Sequence, residues 1–188
     1  MKIKTLLALS LVVTVAFSCK EDSEPDTNDG GNSAGQVTLN SKSYALTKAV
    51  VEDYGIIQGN EYNLDLTLHN GATDTAEEYT HVVYFELNTA DTSKIPTGTY
   101  AFDADWGANT FDVGIVGIIE NSDTSIYNAV AGNLNVTEST TSSVKCNFDM
   151  TVMSSGDTTQ LLNATGSFDG STYLWNISPV LHERLAGK

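Results

Sequence analysis

From Gln36 onward the chain alternates apolar and polar residues with a period of two, the spacing of strands that lay one face on a core. Residues 61–69 show it most cleanly. Tyr62, Leu64, Leu66 and Leu68 share one face, and Asn63, Asp65 and Thr67 share the other. Residues 79–88 are apolar on both faces at Val82, Val83, Tyr84 and Phe85, as a central strand would be. Residues 110–121, with Gly114-Ile-Val-Gly-Ile-Ile119, read the same way.

Further short runs complete the pattern. Residues 37–39 turn through 40–43 into a strand over 44–51. Residues 98–102 follow a turn at Ile95-Pro96-Thr97. Strands are predicted over 129–137, 144–153, 159–168 and 172–177. Gly, Asn, Asp and Ser punctuate the runs at short, regular intervals. This predicts an all-β domain: an antiparallel meander of about ten strands forming a sandwich or a barrel. Ser178 suits a cap, Pro179 the first helical position and Gly187 a stop. They predict a short C-terminal helix over 179–186, with a frayed tail as the alternative. The run 63–68 (Asn-Leu-Asp-Leu-Thr-Leu) matches 147–152 (Asn-Phe-Asp-Met-Thr-Val) in its polar letters and apolar parity. Two related half-folds would give this match, and so would the ordinary wet faces of two antiparallel strands.

The N-terminus departs from this pattern. Lys2 and Lys4 precede an apolar stretch over 6–17, too short to span a bilayer, and Ser18 stands before Cys19. This is the layout of a secretory signal over residues 1–18. It resembles the lipobox of bacterial lipoproteins, in which the cysteine becomes the acylated first residue of the mature chain. The Lys20-Glu21-Asp22 that follows resembles the surface-export signal of lipoproteins in the Bacteroidetes. The resemblance implies lipidation of Cys19, attachment to the outer membrane through that anchor, and display at the cell surface. Residues 19–35 hold almost nothing apolar and read as an acidic, disordered tether. Residues 36–188 then form a single domain. The strand at Ala131-Gly-Asn-Leu-Asn-Val136 and the closing Ala164-Thr-Gly-Ser-Phe-Asp-Gly170 also resemble a recurring pattern in Bacteroidetes lipoproteins with all-β domains.

Charge narrows the partners. The formal net charge of −15 becomes −17 once residues 1–18 are removed, which argues against nucleic acid and anionic membrane surfaces. With Cys19 lipidated, Cys146 has no partner for a disulfide. Its parity with Val144, Phe148 and Met150 predicts a buried, inert thiol.

Catalytic motifs are absent. His69, His81 and His182 lack metal-ligand spacing, and neither a nucleophile elbow nor a phosphate loop occurs. Neither cofactor nor metal is predicted. The polar stretch 103–112 is the candidate ligand site. Asp103, Asp105, Asn109 and Asp112 could orient sugar hydroxyls or gather oxygens around calcium, and Trp106 could stack on a sugar ring. A solvated connection, with Trp106 folded onto the sheet edge, is the plainer alternative. Three functions follow. The first is a surface-anchored, non-enzymatic binding or structural lipoprotein, accessory to glycan capture or adhesion or partnered with an outer-membrane protein. The second is a lipocalin-like carrier of a small apolar ligand. The third is a hydrolase with unrecognised carboxylates.

Overall fold

The computed structural model describes residues 34–58, 61–71, 79–89, 94–104 and 107–176. The signal, residues 19–33 of the predicted tether and the C-terminal helix prediction lie outside them, while Ala34 packs against the core and Gly35, assigned to the tether, opens the first strand. The described residues are all-β, with ten strands in one sheet. These are β1 (Gly35–Leu39), β2 (Lys42–Leu46), β3 (Lys48–Gln58), β4 (Glu61–His69), β5 (His81–Thr89), β6 (Gly98–Phe102), β7 (Thr110–Glu120), β8 (Asp123–Ser139), β9 (Ser143–Ser154) and β10 (Leu161–Asn176).

The pairings close this sheet on itself. Strand β10 pairs with β3, and neighbours follow through β4, β5, β7, β8 and β9 back to β10. The architecture is therefore a barrel, which leaves few free strand edges. The sheet is mixed where an antiparallel meander was expected. Strands β10 and β3 run parallel, as do β6 and β7. Both exceptions come from long strands that change neighbour midway. Strand β10 pairs with β1 over its first half and β3 over its second. Strand β8 pairs with β7 first and β6 later. One strand over 161–176 thus replaces the two predicted over 159–168 and 172–177, while Thr47 divides the predicted strand 44–51.

Two hairpins have two-residue turns with positive φ at both positions: Asn40 (49°) and Ser41 (70°), then Asn121 (50°) and Ser122 (73°). Such turns match the twist of the strands they join. Asn accepts this conformation readily, whereas Ser does so at some strain.

The interior is packed with side chains. Phe85, fully buried on β5, meets Phe111 and Phe148 edge-on, with ring centroids 5.4 and 5.5 Å away. Leu64, Leu66 and Leu68 line β4, as the alternation predicts. Gly166 lets the barrel close around this cluster, because an added Cβ would strike the Phe148 ring and the backbone oxygen of Gln36. At one mouth Ile95 enters the core from the β5–β6 connection, held by the Tyr100 hydroxyl donating to the Pro96 carbonyl at 2.8 Å. Cys146 is buried as predicted, and burial pushes its thiol up to about 12. On β10 it is Leu174 that packs against the core, while Tyr173 is exposed.

Candidate functional site

The outer face of β3, β4, β5 and β7 carries the polar cluster of this barrel. Register places Glu52 opposite Asp65, and Asp65 opposite Glu86. Three carboxylates thus stand side by side on adjacent strands, about 5 Å apart at their Cβ atoms, where like charges destabilise a sheet. The next row contains Asn63 opposite Asn88.

Two β-bulges complete the cluster. Register shifts between Asp53 and Gly55 on β3, leaving Tyr54 as the extra residue. It shifts again where Glu86 pairs with Val113 and Leu87 with Phe111, leaving Asp112 as the extra residue on β7. Bulges re-aim side chains. Here each places its additional residue within electrostatic reach of a cluster carboxylate, Tyr54 beside Asp65 and Asp112 beside Glu86.

Asp65 is the centre of the group and only 5% exposed. The Tyr84 hydroxyl donates to its Oδ2 at 2.6 Å. Burial raises its pKa to about 7. The Tyr84 hydrogen bond opposes that rise, the charges of Glu86 and Glu52 add to it, and Tyr54 opposes it weakly. Glu52 is also raised by burial. Glu86 is raised by burial and then by Asp112, against a 3.1 Å hydrogen bond donated by Asn63 Nδ2. Tyr54 rises to about 12 and Tyr84 rises further, both chiefly through burial.

The cluster has an excess of hydrogen-bond acceptors. Asp65 Oδ1, Asp112 Oδ1 and both amide atoms of Asn88 are buried without a hydrogen-bond partner. Asn88 is 1% exposed, on the same face as Glu86 and opposite Asn63. Buried polar groups are normally satisfied, so such a concentration marks a functional or strained site.

Of the residues predicted from the stretch 103–112, Asp112 joins this cluster. Asp103 and Asn109 are exposed where β6 leads into β7. There the Asn109 backbone N–H donates to the Asn88 backbone carbonyl at 2.9 Å, and the Asp103 backbone N–H donates to the Phe111 backbone carbonyl at 3.0 Å. Gly107 and Thr110 bond each other, with Thr110 Oγ1 donating to the Gly107 carbonyl at 2.6 Å. Asp105 and Trp106 lie outside the described residues. Sequence reading placed Asp65 on the solvent side of β4 and left Glu86 unremarked. An isolated Glu in the otherwise apolar run 82–87 was the available signal.

Fold and site together define a closed, all-β barrel with a packed interior and a half-covered acidic cluster on its outer face. The chain matches no protein-family model, no curated protein and no solved structure.

Proposed function

We propose that this chain is a lipid-anchored, non-enzymatic binding module, tethered to the outer membrane through Cys19 and displayed at the cell surface on the stalk that precedes β1. The observation that carries the non-carrier reading is the packed interior around Phe85, Phe111 and Phe148. Side chains occupy the place where a lipocalin-like carrier would hold its ligand. Recognition then falls to the outside of the barrel and to its loops. Glycan capture or adhesion through the connection 103–112, with Trp106 stacking on a sugar, remains the form of binding we propose there.

The hydrolase reading draws support from Asp65, a carboxyl with a raised pKa facing Glu86. Structural charge networks raise carboxyl pKa values in the same way, so this pairing does not by itself mark a reaction centre.

One set of measurements tests the proposal. Intact mass of the membrane-extracted protein should show a chain that starts at an acylated Cys19, and Cys19→Ser should release it from the membrane. An unmodified secreted chain would overturn the anchor. A glycan array probed with the full-length protein should find ligands that Trp106→Ala loses by roughly thirtyfold in affinity. Unchanged binding in that variant would move the glycan site elsewhere.

A further inference from the structure

We propose that the cluster on the outer face of β3, β4, β5 and β7 binds the guanidinium or ammonium head of a cationic ligand between Asp65, Glu86 and Asn88. This goes beyond the glycan reading and does not depend on it.

The acceptor inventory carries the inference. Asp65 Oδ1, Asn88 Oδ1 and Asp112 Oδ1 are buried oxygens that receive no hydrogen bond. Within the cluster Tyr84 and Tyr54 already donate to Asp65 and Asn63 to Glu86, while Asn88 Nδ2 is a buried donor without a partner. A group rich in N–H donors and carrying positive charge would satisfy the orphan oxygens and offset the repulsion between the facing carboxylates. Asn88 is the observation independent of the charges. Its amide is almost wholly buried, unpartnered, and set beside Glu86 on the same face. Leaving a buried amide unpartnered costs free energy, and a ligand that donates to its Oδ1 would recover part of it.

A metal ion fits less well. Among the described residues no three Asp, Glu, His or Cys side chains stand together as metal ligands. The carboxylates are spread along a row crossing four strands, about 14 Å at normal strand spacing. Calcium needs its oxygens gathered within about 2.6 Å of one point. A planar guanidinium or an ammonium on a short chain can instead donate sideways to neighbouring carboxylates.

The charged and titratable groups facing Asp65 are Glu52 and Tyr54 from β3, and Tyr84 and Glu86 from β5, with Asp112 of β7 beyond Glu86. None is a cation, so a bound cation would favour ionised Asp65. Binding below neutral pH must therefore release a proton, and affinity should fall as pH drops from 8 to 6.

Isothermal titration calorimetry of the full-length protein in mild detergent provides the test, with agmatine, the tripeptide acetyl-Gly-Arg-Gly-amide and calcium chloride as separate titrants. The expected result is saturable binding of agmatine, of the peptide, or of both. Agmatine alone would indicate a small-molecule source, and the peptide alone an arginine side chain of a protein. Asp65→Asn and Glu86→Gln, each folded by circular dichroism, should weaken that binding about tenfold or more. Below pH 7 the apparent heat should change with the buffer's ionisation enthalpy, reporting the released proton. No binding of either organic cation at millimolar concentration would overturn the proposal. So would binding indifferent to both substitutions, or saturable calcium binding that excludes both organic titrants.

Discussion

Asp65→Asn should stabilise the barrel at pH 8, by about 2–4 kcal/mol, and lose most of that advantage at pH 4. The carboxyl pKa rises from 3.8 to about 7 on folding, chiefly through burial. A carboxyl whose folded pKa is raised contributes stability that is fully present below its unfolded value. That contribution disappears as pH climbs through the folded value. Asp65 therefore opposes folding progressively between about pH 4 and 7, and Glu52 and Glu86 act in the same direction. Asn keeps the shape, still accepts from Tyr84, and turns a like-charge contact into a donor for Glu86 or Glu52. At this size the gain corresponds to roughly 5–15 °C in melting temperature. Parallel thermal melts of both proteins from pH 4 to 8 provide the check. A variant no more stable than the parent at pH 8 would mean that the Asp65 charge does not oppose folding of the barrel. The same result bears on function, because a residue that lowers stability at neutral pH is the kind that binding sites retain.

Phe85→Ala should cost about 3–5 kcal/mol, the usual range for truncating a buried phenylalanine in a filled core. Phe85 is fully buried, and its ring touches Phe111 and Phe148 edge-on. Aromatic pairs of this geometry contribute beyond the area they bury. Chemical denaturation should show a lower midpoint with an unchanged slope, since the surface exposed on unfolding barely alters. The experiment also separates two pictures of the barrel. If the interior were a roomy ligand cavity, removing one ring would enlarge it at little cost. A loss below about 1 kcal/mol would favour that carrier-like picture over the packed core described above.

Much of the fold was legible because strand alternation is local. The inward positions of β4, the inward positions of β9 with Cys146 among them, and the all-β class follow from a period of two and from turn residues. The closure of the sheet was not legible. Whether β10 meets β3 or stops short depends on residues more than a hundred positions apart, and no local signal encodes that pairing. Bulges were hidden for a related reason. Tyr54 and Asp112 became cluster residues only because each stands as an extra residue against its partner strand. The stretch 103–112 was singled out for its composition, yet the structure assigns its last carboxylate to a group on four strands.

The two runs 63–68 and 147–152 separate what sequence determined from what tertiary structure decided. Both read Asn, apolar, Asp, apolar, Thr, apolar, and in both the apolar residues described as core face inward. That much is set by the chain, because successive side chains of a strand point to opposite faces. On β9 the polar face is open to water, and Asn147 and Asp149 are exposed. On β4 the same letters are covered, with Asn63 and Asp65 at 4% and 5% exposure. The difference lies in the neighbours. Strands β3 and β5 bring Glu52, Tyr54, Tyr84 and Glu86 alongside Asp65, and a carboxylate cut off from water among other carboxylates acquires a pKa, and a potential use, that its own strand does not specify.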